Sequence, residues 1–228
     1  MKLFIKNQKL YKNLCIMIGF ILLLLTPFFI YIIINNLHGE DLIIVLSGSK
    51  ETFNKNEYYR SICPYTNIKC ETFTLPYHNK KNPFKYWNSI GMEKIVNMTN
   101  TKIKNLQDYY KPKTLILSGI SRGGYLASMY KNADIYLLFS PVIKWKELNE
   151  FDNEGPEIDI HHLKTKRVFG FVNSNDYRIN GSIVVNFFDK LCKNDKCNNR
   201  NKKIIIEEGT LHSVPKEVFK KGANWIIT

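Results

Sequence analysis

The sequence predicts an α/β domain: a minimal, mostly parallel sheet of about six strands with helices on both faces, preceded by one transmembrane helix. Three observations carry this. From Asp41 onward, short apolar runs alternate with segments of helical spacing, the pattern of right-handed crossovers around a parallel sheet covered on both sides. One apolar run, Leu115-Ile-Leu-Ser118, passes directly into Gly119-Ile-Ser121-Arg-Gly123-Gly124, a glycine-flanked turn that opens a helix. Ahead of both, residues 14–34 form a run of 21 residues without a charge.

The elements follow in order. Leu42–Leu46 is wholly apolar, as a strand buried on both faces should be. Residues 56–62 read as a short helix and residues 70–75 as a second strand. Residues 91–110 carry Met92, Ile95, Val96, Ile103 and Leu106 at helical spacing, and Pro112 stops that helix. Residues 114–118 form the strand into the glycine turn, and residues 123–130 the helix after it. Ile135–Phe139 is a strand closed by Ser140-Pro141. Residues 167–172 and 203–207 are the last two strands, with a helix over 182–192 between them and a closing helix over 214–227. Residues 141–165 lack a strand signal. They are too few for a folded cap but enough for a flap, in which Trp145, Leu148 and Phe151 either close over a ligand or pack on the sheet.

The N-terminal run spans about 31 Å as a helix, close to the thickness of a hydrocarbon core of about 30 Å. Lys2, Lys6, Lys9 and Lys12 precede it and Glu40 and Asp41 follow it. By the positive-inside rule, residues 1–13 are a cytoplasmic tail, residues 14–34 a signal-anchor, and residues 40–228 an extracytoplasmic domain. No small-residue cleavage site closes the run, which favours an uncleaved anchor.

The glycine turn has the form of a nucleophile elbow, in which a serine hydroxyl stands at the tip of a strand-to-helix turn. Gly119 and Gly123 lie two residues to either side of Ser121, where side chains would collide across the turn. A serine hydroxyl needs a base to take its proton and a third group to hold the base. Two downstream loops supply them. Asp176 follows the strand at 167–172, and His212 follows the strand at 203–207. All three loops leave the carboxyl edge of the predicted sheet, where open α/β sheets bind ligands. His161 and His162 precede Asp176, and His38 and His78 precede the serine, so none fits the order Ser, acid, His. Asp189 falls mid-helix. Glu207 and Glu208 lie very close to His212 but stay open as orienting acids, and Asp176 also suits a cap for the helix beginning near Asn180.

With these residues in order, residues 40–228 resemble the α/β-hydrolase family, most closely its small esterase and peptidase-like branches. The resemblance implies a serine hydrolase in which Ser121 is the nucleophile, His212 the base and Asp176 the orienter. It also implies an oxyanion hole from the N–H of Arg122 and one from the loop Ser47-Gly48-Ser49, where the family's His-Gly-x has Ser47 in place of histidine. Ser49, with Gly48, is then the second donor. The family's first two antiparallel strands are absent, their place taken by the membrane segment. The expected reaction is cleavage of an ester or related acyl bond of a small-molecule or acylated substrate, with no cofactor and no metal. An acyltransferase with the same triad, or a non-catalytic binding module on the same fold, are the competing readings.

The net charge of +13 comes from scattered lysines, with Lys80-Lys81, Lys202-Lys203 and Lys220-Lys221 as doublets. There is no basic–aromatic interleaving of the kind that binds nucleic acid. Beyond Cys15, four cysteines fall as Cys63-x6-Cys70 and Cys192-x4-Cys197. In an extracytoplasmic domain these read as two short-range disulfides, although four cysteines allow three connectivities. Zinc fits the spacing less well. Asn97-Met-Thr99 and Asn180-Gly-Ser182 are N-glycosylation sequons, relevant in a eukaryotic lumen.

Overall fold

The structure is a computed structural model and describes residues 22–27, 39–48, 61–73, 90–143, 155–192, 197 and 199–228. The chain divides into two compact units, Met1–Gly39 and Glu40–Thr228. In the first, residues 22–27 are helical, and Leu22, Leu23, Leu24 and Leu25 are 41–74% exposed. Among the described residues no helix is long and apolar enough to cross a membrane. Most of the predicted span at 14–34 lies outside them.

The second unit is a six-stranded sheet: β1 (Leu42–Leu46), β2 (Lys69–Phe73), β3 (Leu115–Ile120), β4 (Ile135–Phe139), β5 (Arg167–Asn173) and β6 (Lys202–Glu207). The spatial order is β2-β1-β3-β4-β5-β6, and every pairing is parallel. The first strand therefore lies one in from an edge, the second forms that edge, and the chain then crosses β1 to build the sheet out to the other edge. All the loops that follow strands consequently emerge on one side.

The side-chain period of two divides each strand between two cores. Leu42, Ile44, Leu46, Leu115, Leu117, Tyr136, Leu138, Val168 and Val172 face one layer, built from α1 (Met92–Tyr110), α2 (Arg122–Met129) and α4 (Gly181–Cys192). Ile43, Val45, Ile116, Leu137, Phe139, Phe169 and Phe171 face the other, closed by α5 (Lys216–Ile226) through Val218, Phe219, Ala223, Trp225 and Ile226. Because both faces are covered, β1 and β4 are apolar at every position and completely buried, at about 1.5–3 kcal/mol for each large side chain.

Helix ends follow local chemistry. α1 stops because Lys111 turns left-handed (φ 45°) and donates its N–H to Gln107 O, just before Pro112. Arg167 donates to the carbonyls of Trp225 and Ile226 at the end of α5 and lies 4.7 Å from the Trp225 ring centroid, so its cation meets the negative end of that helix.

Several predicted bounds move. The strand into the elbow runs on to Ile120 rather than ending at 118, and the fifth strand includes Asn173. Inside the strandless stretch 141–165 a short helix forms, α3 (Ile160–Lys164), with Asp159 as its N-cap accepting from His162 N. The helix predicted over 56–62 lies outside the described residues except for Ser61 and Ile62, which enter a 3-10 turn at Cys63–Tyr65. The flap residues Trp145, Leu148 and Phe151 also lie outside them. The Cα atoms of Cys63 and Cys70 are 5.9 Å apart and those of Cys192 and Cys197 5.5 Å, with each pair of sulfurs bonded.

Candidate active site

β3 delivers Ser121 to the carboxyl edge in a conformation few L-residues adopt, φ 54° and ψ −119°. Such a backbone costs about 1–3 kcal/mol and persists only where its surroundings over-determine it. Here they do. Ser121 N donates to Phe139 O at 3.0 Å, while Ser121 O accepts from Gly124 N, Tyr125 N and Val142 N at 3.0–3.2 Å. The flanking glycines are required by space. A Cβ at Gly119 would stand 2.3 Å from Gly123 O, and one at Gly123 would stand 2.2 Å from Leu46 O. The turn is thus wedged against the end of β1. Gly48, at that same end, lies close to Ser121: a Cβ there would be 3.9 Å from the Ser121 Cβ. Arg122 is the first residue of α2 and is buried, so its N–H belongs to the positive end of that helix. Ser49 lies outside the described residues.

Two strands away, β5 ends at Asn173 and the chain turns through Ser174 and Asn175 to Asp176, which is 1% exposed. Asp176 Oδ1 accepts from Arg178 N at 3.0 Å, and its Oδ2 lies 2.7 Å from His212 Nδ1. The Asp176 side chain thus closes a local turn and does not cap α4; its second oxygen is left for the histidine. An ionised carboxylate only accepts, so with a neutral imidazole the bond selects the tautomer protonated at Nδ1, which leaves Nε2 its lone pair. The His212 side chain is 15% exposed, enough to meet a ligand. This geometry favours Asp176 over Glu207 and Glu208 as the histidine's partner. Glu208 is exposed, and the carbonyl of Glu207 accepts from Ser174 N at 2.9 Å.

Among the described residues the two other histidines sit elsewhere. His162 is on α3, with Nε2 3.1 Å from the Tyr136 hydroxyl, and burial holds its pKa below the usual value. His161 is exposed on the same helix. Tyr125, fully buried in α2, donates its hydroxyl to Pro156 O at 2.6 Å, which ties the elbow helix to the crossover before β5. Burial pushes the Tyr125 phenol far above its ordinary pKa, consistent with a hydroxyl that stays a donor. Among the described residues no group of three or more His, Cys, Asp or Glu side chains could hold a metal ion.

Two supports were not legible beforehand. The segment Phe139–Val142 braces both backbone groups of Ser121 and bends through Ser140, another non-glycine residue at positive φ (43°). Asn173 donates from Nδ2 to Leu211 O at 2.6 Å and to Ser213 O at 3.4 Å, on either side of His212. An Asn at a strand end carries no signal of that kind in a single sequence. Only the pairing of β5 with β6 brings it to the histidine loop.

No protein-family model matches the chain, and no curated protein sequence matches it. Solved structures do. An esterase of the planctomycete Thermogutta terrifontis, determined with propionate bound, superposes with a TM-score of 0.56 at 15% identity, covering 84% of each chain. An esterase of Pyrococcus furiosus gives a TM-score of 0.60 at 16% identity over 83% of this chain and 82% of that one. The Thermogutta esterase 2 phosphoramylated by tabun gives 0.58 at 14% identity, again covering 84% of each. At these identities the likeness establishes a shared α/β fold.

Proposed function

We propose that the chain is a serine hydrolase that cleaves a carboxylic ester or related acyl bond. One observation carries the reading: the buried Asp176 holds His212 at 2.7 Å on the same sheet edge that presents Ser121 in a strained elbow. The shared fold with esterases supports it.

In this reading His212 Nε2 takes the proton of the Ser121 hydroxyl as Oγ adds to the acyl carbonyl. The carbonyl oxygen becomes an oxyanion, held by the N–H of Arg122 and by one from Gly48 or Ser49. Each such donor contributes about 2.7–4 kcal/mol to the transition state. Collapse expels the alcohol, which receives the proton from His212 and leaves Ser121 acylated. Water then attacks the acyl-enzyme, gives its proton to His212, and frees the acid as Oγ regains the proton. Asp176 keeps the ring in the tautomer that leaves Nε2 basic. The substrate is a small acylated molecule. Short acyl chains are the first to screen, because the Thermogutta esterase was determined with propionate and with butyrate bound.

For the N-terminal unit we propose an uncleaved signal-anchor over residues 14–34, with residues 1–13 cytoplasmic and the hydrolase domain over residues 40–228 extracytoplasmic. The uncharged run and its basic flank support this. The bonded cysteine pairs suit an oxidising compartment. Protease added to intact cells should degrade the domain and spare the tail, and a domain protected until lysis would refute the orientation.

The test of the activity is labelling of the full chain by a fluorophosphonate, with p-nitrophenyl esters as substrates. Wild type should label and turn over; Ser121→Ala should do neither. A folded wild type that neither labels nor hydrolyses would return the fold to a binding role.

A further inference from the structure

We infer that Asn173 is a positioning residue that fixes the backbone of His212, and that position 209 is glycine because the Asn173 amide needs its space. This rests on the reading of His212 as the catalytic base.

The histidine sits on an irregular loop. Residues 208–215 form no helix or strand, and the adjacent Leu211 is 65% exposed. A hydrogen bond to the ring restrains only the ring, yet proton transfer depends on where the whole residue stands, and a misplacement of about 1 Å can cost about a hundredfold in rate. The backbone needs its own restraint. Asn173 supplies it from the last residue of β5. Its Nδ2 reaches Leu211 O at 2.6 Å and Ser213 O at 3.4 Å, the carbonyls preceding and following the histidine. A primary amide has two N–H donors on one nitrogen, one for each carbonyl. Asn173 is 7% exposed, so water competes poorly for those donors.

Other side chains fail here. Aspartate would set a carboxylate oxygen against two carbonyls, leucine has no donor, and glutamine is one methylene longer. Asp176 comes from the same strand end, three residues on. The ring and the backbone of His212 are therefore held from one rigid frame, which Asn175 N completes by donating to Gly209 O at 3.1 Å.

Gly209 closes the argument. A Cβ at 209 would lie 2.8 Å from Asn173 Oδ1 and 3.1 Å from its Cγ, but 3.6 Å from its Cβ. The clash is with the amide group alone. Gly209 is not at positive φ, so an alanine there is strained only by the clamp. The two positions should be coupled.

The experiment is a double-mutant cycle on the full chain, read as the second-order rate of fluorophosphonate labelling. Circular dichroism and melting verify the fold of each variant. Asn173→Ala should slow labelling at least about tenfold, and Asn173→Asp at least as much. Gly209→Ala should also slow it several-fold. In the Asn173→Ala background, however, Gly209→Ala should change the rate less than twofold, because the obstructing amide is gone. In ester hydrolysis the loss should fall on kcat rather than KM. A rate within twofold of wild type in folded Asn173→Ala overturns the inference, as do additive losses. If Asn173→Ala does not fold, Gly209→Ala decides alone: a wild-type rate there overturns it.

A second readout separates this inference from the hydrolase reading. The proton shared by His212 Nδ1 and Asp176 should give a strongly deshielded 1H resonance that Asn173→Ala broadens or shifts. If wild type never labels, the hydrolase reading fails, but loss of that resonance still supports the clamp. An unchanged resonance in Asn173→Ala refutes it.

Discussion

Gly123→Ala tests the elbow directly. The added methyl carbon would stand 2.2 Å from Leu46 O and 2.6 Å from Ser47 O, about 1.2 Å and 0.8 Å short of ordinary contact at 3.4 Å. Both obstacles are backbone atoms: Leu46 ends β1 and is paired to β2 and β3, and Ser47 follows it directly. Neither can swing away like the tip of a flexible side chain. Gly123 is not at positive φ, so the substitution carries no dihedral strain and the whole cost is steric. Overpacking of this kind typically costs about 1–3 kcal/mol, and two rigid backbone contacts put the cost near about 3 kcal/mol. For a domain of this size each kcal/mol lowers Tm by about 2–4 °C, so Gly123→Ala should melt about 6–12 °C below wild type. Gly48→Ala is the internal control. Among the described residues its methyl has 3.9 Å to its nearest neighbours, so Tm should move by less than about 2 °C, although the methyl beside Ser121 should slow labelling. Differential scanning calorimetry of the three proteins decides the matter. Melting of Gly123→Ala within about 2 °C of wild type would refute the wedging of the elbow against β1.

Three further outcomes are expected. Ser121→Gly should abolish labelling and yet raise Tm by about 2–4 °C, since relief of about 1–3 kcal/mol of backbone strain outweighs about 0.5–1 kcal/mol of added chain entropy. An unchanged or lower Tm would count against the strain. Asp176→Asn keeps the shape and the bond from Arg178 N but loses the carboxylate beside His212, and kcat/KM should fall on the order of 10⁴-fold with the fold intact; a fall of less than tenfold would remove Asp176 from the site. His162 is held by burial below its ordinary pKa of 6.5, with Lys166 and Lys131 lowering it further and Asp159 opposing them; the Tyr136 hydroxyl also faces its ring. The unfolded chain then binds the proton more readily than the folded one. The associated stability is complete above about pH 6.5 and declines as pH falls through the depressed folded value. His162→Gln should therefore flatten the acid limb of Tm against pH relative to wild type, and parallel limbs would contradict the burial argument.

The strands were legible because a sheet covered on both faces demands uninterrupted apolar runs. Leu42–Leu46 and Ile135–Phe139 leave no other reading and came out with the expected bounds. Strand ends were less legible where polar residues continue the ladder. Asn173, paired with Glu207, continues β5 one residue past its apolar run, and β3 runs through Gly119 to Ile120. Hydropathy ends a strand at its last apolar residue, whereas hydrogen bonding carries it on. α3 was missed because five residues with a polar N-cap are held by tertiary contact, Lys131 to Asp159 and His162 to Tyr136 among them, and not by helical periodicity.

What the sequence determined by itself is the elbow. Gly119, Ser121 and Gly123 are fixed by contacts within a few residues and with the neighbouring strand, and local backbone geometry admits few alternatives. The order Ser, Asp, His and the alternation of strands with helices likewise named Ser121, Asp176 and His212. The tertiary structure decided the rest. It put the Asp176 carboxylate beside His212, because the β5–β6 pairing brings one loop's carboxylate to the other loop's imidazole. It placed Asn173 under the backbone of the His212 loop and Phe139–Val142 against the backbone of Ser121. Those contacts join residues roughly 20 to 40 apart in sequence. Their geometry exists only once the strands have chosen their neighbours, and no property of the residues taken singly encodes it.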